Sequence, residues 1–360
     1  MARRLTGIQS FAEPYVASAR NLLINGDGVI AQRGTTIDAS TVFPNNNDAY
    51  CLDRWNLISE SNDAVDVSKE TSDVPAGARS AIAMTIATAN NIKFGIVQIL
   101  ESSICRQLVN TAGTSHVSLS FWVKKAASVS TMGVSVLSWD GTADTVTSDV
   151  FTGGWGASDA APTPTTNWTL ESPAALAADI SATTSWTQVK VPGIPIDTSG
   201  AVNVAVAIYA NDTTATSAAE VCLVSNVMLN AGKTCAPFEV RSFGEELAAC
   251  QRTFWTSYNH GVAIGTATDV GRILHPASVA VNFSTNQADM TVQFPVTMRT
   301  TPVGECYSTN SGTAARVYES GVGDRTSTVI NEGTGAMTVN VVTDPGTNFL
   351  SFHATADAEL

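Results

Sequence analysis

The sequence predicts an all-β chain: an N-terminal jelly-roll sandwich, a short linking helix and a smaller C-terminal β-sandwich. Two observations predict the class. Apolar residues recur with a period of two in many short segments, the pattern of a strand with one face in a core. Helices of about ten to fifteen residues between those segments are missing, so a doubly wound sheet fits poorly. Short strands joined by long polar loops favour a jelly roll. At 360 residues the chain exceeds what one core usually serves, which argues for two domains.

Residues 1–20 read as an arm. They hold three of the 19 basic side chains, carry Pro14 in the middle and lack a hydrophobic period. Segments of this kind are often ordered only by a partner. The jelly roll is assigned to 21–241. It opens on NLLINGDGVIAQRG, residues 21–34. Glycines in a polar turn suggest a phosphate loop, but the lysine and the Ser or Thr of such a loop are absent and no helix follows. Asn-Gly and Asp-Gly are favoured turn dipeptides, so the stretch reads as a reversal between apolar runs. Asn25, Asp27 and the nearby Asp38 offer hard oxygen ligands, the chemistry of a structural calcium ion, although EF-hand spacing is absent.

RSAIAMTIAT places Ile82, Met84 and Ile86 on one face. HVSLSFWVKK places Val117, Leu119, Phe121 and Val123 inward, with Ser118, Ser120, Trp122 and Lys124 outward. STMGVSVLSW and TSWTQVKVPG continue the strands. AVNVAVAIYA directs Val202, Val204, Val206 and Ile208 inward and Asn203 and Tyr209 outward. The loop 151–183 holds Gly153-Gly154, Pro162 and Pro164, which forbid regular strand, and it carries Trp155 and Trp168. A long loop in a compact domain usually has a role. Folding back over the sandwich as a lid is the plain one.

The linking helix is assigned to 242–258. Ser242 and Glu245 form a capping box, Glu245 and Glu246 suit the first turn, and Leu247, Cys250, Phe254 and Tyr258 make a helical stripe. The C-terminal sandwich, 259–360, returns to alternation at Val279, Val281 and Phe283, at Met290 to Met298, and at Met337, Val339 and Val341. Pro295 removes a ladder donor, so its strand is an edge or is bulged there. NFLSFHAT reads as the closing strand.

Composition excludes several classes. The formal charge of -13 leaves no basic face for nucleic acid. MARRLTGIQSFAEPY has two arginines without a following apolar stretch, so no secretory signal is expected, and no run is long enough to cross a bilayer. Six scattered cysteines without a C-x-x-C pair read as reduced core or boundary residues. Four scattered histidines give no metal motif. There is no G-x-S-x-G and no H-E-x-x-H, and Ser115-His116 stands alone, so no enzyme is expected. The tryptophans are the better clue, because large aromatic faces stack on sugars or fill interfaces. Trp155 and Trp168 are the first candidates for exposed ligand contact. Trp122, on the face opposite the apolar one, is the third.

NLLINGDGVIAQRG followed by YCLDRWNL resembles the opening of a family of bacteriophage virion proteins, mainly tail-fibre and adhesin subunits with a jelly-roll domain similar to carbohydrate-binding modules. QILESSICRQL, VSLSFWVKK, TSWTQVKVPGIPI and VCLVSNVMLNAGKTCAPFEVRSFGEELAACQRTFW follow in the family's order, over about residues 20 to 258. The chain departs from the family at Gly28-Val29, where a large apolar residue and an acid are common, and at Leu229-Asn230, where Leu-Glu is common. No role of an acid at those places is carried over. The resemblance implies a virion component assembled in the host cytoplasm and reaching host-surface polysaccharide. It implies an arm docked on other virion proteins and self-association, commonly as a trimer. A capsid decoration or head-fibre protein without specific glycan binding is the alternative, and a polysaccharide depolymerase stands behind both.

Overall fold

The structure, a computed structural model, describes residues 20–37, 49–60, 65–89, 92–109, 115–147, 149–151, 154–156, 160–171, 183–212, 216–276, 281–282, 286–344 and 348–360. All but the last residue of the arm assigned to 1–20, and Asp38 of the expected ion site, lie outside the described residues.

The first module contains β1 (Thr36–Ile37), β2 (Asn56–Ser59), β3 (Val65–Glu70), β4 (Ala81–Ile86), β5 (Phe94–Leu100), α1 (Ser102–Val109), β6 (Ser115–Lys124), β7 (Thr131–Trp139), β8 (Trp168–Leu170), β9 (Thr187–Ile196), β10 (Asn203–Asp212) and β11 (Val221–Ala231). The helix α2 (Phe243–Gln251) follows. The second module holds β12 (Phe254–Thr256), β13 (Ile273–Pro276), β14 (Val281–Asn282), β15 (Gln287–Gln293), β16 (Val303–Ser308), β17 (Arg316–Glu319), β18 (Gly323–Ile330), β19 (Ala336–Val342) and β20 (Phe349–Asp357).

The first module is a sandwich of a six-stranded sheet, β1-β3-β4-β11-β6-β9, on a five-stranded sheet, β2-β5-β10-β7-β8. Apart from the hairpin partners β3–β4 and β7–β8, successive strands alternate between the sheets, as in a jelly roll. The expected inward residues meet in one core: Ile82, Met84 and Ile86, then Val117 to Val123, from the larger sheet, and Val204, Val206 and Ile208 from the smaller. Burying each large aliphatic side chain there contributes roughly 1.5–3 kcal/mol.

The opening stretch is the keystone of this module. Asn25 adopts φ 58 and Gly28 φ 66, both left-handed. A Cβ on Gly26 would stand 2.2 Å from Val227 O, so only glycine lets the turn touch β11. There the Val227 N–H donates to Gly26 O at 2.7 Å, beside the bulge between Ser225 and Met228.

The second module has a nine-stranded sheet, β12-β20-β17-β18-β19-β15-β14, with β13 and β16 also on β20. It curls so that β15 and β19 face β20, and Met290, Met337, Val339, Phe352 and Ala354 share one core. β20 is central here, pairing with β12, β13, β16 and β17 rather than closing an edge. β15 stops at Gln293, before Pro295, where the lost donor ends the ladder.

The capping box of Ser242 and Glu245 is present on α2. The helix ends at Gln251, earlier than the expected 258, because Phe254–Thr256 pair with Thr355–Asp357 of β20. Tertiary pairing overrides a helical stripe that a strand can also use. Among the described residues no helix is long and apolar enough to cross a membrane.

The two modules are bolted together through residues 29–34. The Ala31 N–H donates to His260 Nε2 at 2.9 Å, and Gln32 Nε2 donates to Phe254 O at 2.7 Å. Arg33 lies over the Phe254 ring at 3.6 Å and pairs with Asp357. Glu359, buried, is bridged by Arg33 and Arg54.

Candidate functional site

Apolar residues cover both faces of the five-stranded sheet. Val97, Ile99, Leu137, Ala205, Ala207 and Tyr209 point away from the sandwich core and would be exposed without a cover. The described parts of the loop between β7 and β9 supply that cover. Phe151 packs edge-on against Trp155 and Tyr209, with centroids 5.2 and 5.6 Å apart, and Trp168 packs on Trp139 at 5.3 Å. Trp168 Nε1 donates to Thr147 O at 3.1 Å, and the buried Lys93 ammonium donates to Trp155 O at 2.9 Å.

Trp155 and Trp168 are therefore only 3% and 4% exposed. The expectation that they make exposed ligand contact is corrected: they are the inner face of the lid. Tyr209, expected to face outward, is fully buried beneath it. The physical reason is that an apolar outer sheet face needs a large apolar cover.

Of the expected ion ligands, Asn25 and Asp27 are engaged by the protein itself, and Asp38 lies outside the described residues. Asn25 Oδ1 accepts from the Ile30 N–H at 2.8 Å, and Asn25 Nδ2 donates to Ile30 O at 2.9 Å and Asp53 O at 3.0 Å. Asp27 is paired with Arg79 at 2.8 Å, and its other oxygen accepts from the Val29 N–H. These oxygens hold the keystone turn, with Trp55 Nε1 donating to Asn25 O and Glu246 of α2 accepting from the Asn25 N–H. Among the described residues no group of three or more His, Cys, Asp or Glu side chains could hold a metal ion.

Trp122 stands on a different surface. The outer face of the six-stranded sheet is closed at one end by residues 232–236. Cys235 Sγ reaches Leu119 O, and the Ala236 N–H donates to Asn230 Oδ1 at 3.0 Å. Toward the other end, on the β6–β9 side, the face meets solvent, and Trp122 is half-buried there. Directly across on β9 is Gln188, and the diagonal neighbours are Lys190 and Trp186. Gln188 and Lys190 are exposed. Lys124 follows two residues on, on the same face.

A turn prearranges this surface. Glu70, at the end of β3, accepts N–H bonds from Thr71, Ser72 and Asp73 through one oxygen. Those donors hold its pKa below the ordinary glutamate range, the Ser72 N–H foremost. The turn presents Asp73, whose oxygens accept from Trp186 Nε1 at 2.9 Å and from Lys124 Nζ. The Lys124 bond above all lowers the Asp73 pKa. The result is a surface with two tryptophans, a fixed carboxylate, an ammonium group and a free amide. Such a surface can stack on a sugar's C–H face and exchange hydrogen bonds with its hydroxyls. Sequence reasoning named Trp122 but missed Trp186, Asp73 and Lys124. The period-two phase of HVSLSFWVKK, which points Trp122 and Lys124 the same way, was the available signal.

No family model matches the chain. No curated protein matches it. Solved structures match in part. The enzymatically active domain of tailspike protein 4 from bacteriophage CBA120 aligns at 12% identity and TM-score 0.32, covering 59% of this chain and 21% of that one. This chain thus spans about a fifth of the length of that domain. The CBM22-1 xylan-binding domain of Paenibacillus barcinonensis Xyn10C aligns at 14% identity and TM-score 0.28, covering 50% of this chain and 87% of that one. The family 11 carbohydrate-binding module of Clostridium thermocellum, solved with a mixed-linked tetrasaccharide, aligns at 12% identity and TM-score 0.27, covering 52% and 95%. Overlaps so distant say nothing of substrate or partner.

Proposed function

We propose that this chain is a structural component of a bacteriophage virion, a tail-fibre or adhesin subunit that contacts host-surface glycan through its first module. One observation carries the glycan part: the open end of the six-stranded sheet presents Trp122 beside Gln188, Lys190 and the Trp186–Asp73–Lys124 group. The ordered resemblance of residues 20 to 258 to phage virion proteins supports the particle part. In this reading residues 1–20 dock onto other virion proteins. Self-association, as a trimer, repeats one weak site several times and raises avidity without new contacts. The chain is not an enzyme in this reading. All pairings among the described strands are antiparallel, which does not support the parallel β-helix of a depolymerase reading.

The burial of Trp155 and Trp168 favours a second reading, an inert decoration or head-fibre subunit, since two of the three expected sugar contacts are core residues. Mass spectrometry of purified particles together with binding of the labelled chain to host cells separates them. An adhesin is found in the particle at a copy number divisible by three and binds cells. A decoration protein is found in the particle and does not bind. Absence from the particle rejects both.

A further inference from the structure

A cleft of about 570 Å³ lies where the start of the opening stretch, α1 and α2 meet. Four arginines line it: Arg20, Arg106, Arg241 and Arg252. The whole chain has only 13 arginines and a net charge of -13, so this convergence is local. The four do not act alike. Arg241 donates to Asn21 O and Leu23 O and pairs with Glu239 and Glu246, which commits its guanidinium to holding the chain. Arg252 makes a two-pronged pair with Glu101, at 3.0 and 2.7 Å, which fixes the end of α2 to the start of α1. Arg20 and Arg106 are exposed and have no partner among the described residues.

The remaining lining sorts by chemistry. Ser103 shares a face of α1 with Arg106 and Gln107, three and four residues on, so a hydroxyl and an amide line the cleft beside the guanidinium. Ile24, Ile104 and Ala249 form an aliphatic wall. Glu245 stands in the lining, but its carboxylate accepts from the Ser242 N–H at 2.8 Å and Ser242 Oγ at 2.7 Å, which holds it in the capping box. The carboxylates behind Arg241 and Arg252 cancel their charge. Recognition therefore rests on the two unpaired guanidiniums, whose planar forks match carboxylate and phosphate oxygens. The volume is far larger than one inorganic anion and lies in the range of small-ligand sites, roughly 300–1,000 Å³.

We propose that this cleft binds an acidic saccharide unit, a sugar of one or two rings bearing a carboxylate or a phosphate. Arg20 and Arg106 grip the anionic group, Gln107 and Ser103 take hydroxyls, and the aliphatic wall takes the ring's C–H face. The site is separate from the Trp122 surface, and either can exist without the other.

Calorimetric titration of the full chain tests it with four probes: glucose 6-phosphate, glucuronate, glucose and inorganic phosphate. The two charged sugars distinguish the phosphate source from the carboxylate source, and binding of either supports the site. The expected result is that at least one charged sugar binds tenfold or more tighter than glucose and than inorganic phosphate. The double variant Arg20→Ala, Arg106→Ala loses that binding by tenfold or more. Both side chains are exposed, so the variant keeps its fold, which circular dichroism checks. Trp122→Ala leaves this binding unchanged, which keeps a failure here distinct from a failure of the sheet-face reading. Three results would overturn the proposal: charged sugars binding no tighter than glucose, a double variant that binds like the parent, or inorganic phosphate binding as tightly as glucose 6-phosphate, which marks an adventitious ion only.

Discussion

Replacing Trp155 by alanine tests whether the lid is core. Its side chain is 3% exposed and packs edge-on against Phe151 and Tyr209, at centroid distances of 5.2 and 5.8 Å. A buried tryptophan removes roughly 150–250 Å² from water. At about 25 cal/mol per Å² that is about 4–6 kcal/mol of transfer free energy. Measured Trp→Ala losses in cores run to about 3–5 kcal/mol, because the site relaxes in part. A module of this size loses roughly 2–4 °C of Tm per kcal/mol, so Trp155→Ala should melt about 6–20 °C below the parent. Thermal unfolding followed by near-ultraviolet circular dichroism reads both the shift and the altered aromatic packing. Combined with Trp168→Ala the loss should fall short of the sum if the two share one cluster. A Tm within about a degree of the parent, with polysaccharide binding lost instead, would refute the burial of the lid and restore Trp155 as a ligand contact.

Glu359→Ala leaves buried Arg54 without its carboxylate while Arg33 keeps Asp357, and stranding a buried charge costs about 3–5 kcal/mol; chemical denaturation reads the loss, and a change below about 1 kcal/mol rejects the bolt between modules. Acid should loosen α1 through Asp144. Burial opposes its charge, but hydrogen bonds from Ser102 and Asn203 outweigh burial and hold its pKa below the ordinary aspartate range. Because the folded pKa is the lower one, its stabilisation is present above the unfolded value of about 3.9 and is lost as pH falls through the folded value. Asp144→Asn should show a shallower decline of Tm below about pH 4, and an unchanged slope counts against the clamp. Burial pushes the thiols of Cys51 and Cys105 up to about 12 and those of Cys222 and Cys306 up to about 11, so native-state alkylation should reach Cys235 alone, with the rest labelled only after denaturation.

Much of the fold was legible because alternation survives wherever one strand face meets water. HVSLSFWVKK and AMTVNVV place their inward residues as expected, and the Ser242–Glu245 box marks the start of α2. What escaped was tertiary. β5 reads FGIVQIL, buried at every position, and β10 carries Ala205, Ala207 and Tyr209 opposite its valines. Strands apolar on both faces lie between two layers. That signal assigns the loop's tryptophans to a cover before any sugar. The Asn25 turn escaped for another reason: its partners, Glu246 and Val227, are more than two hundred residues away in sequence. Asp73 and Lys124 likewise meet only when β3 and β6 share a sheet.

In the proposed function the sheet face around Trp122 meets host glycan. The direct measurement is binding of the labelled full chain to host-cell surface polysaccharide, with Trp122→Ala and Lys190→Ala compared to the parent at matched Tm. Trp122→Ala should weaken binding tenfold or more, since it removes the central aromatic stack and leaves only Trp186 and the polar groups to hold the ring, and Lys190→Ala should weaken it less. Parent-like binding by both variants would contradict this reading, and no binding by the parent itself would reject the glycan site.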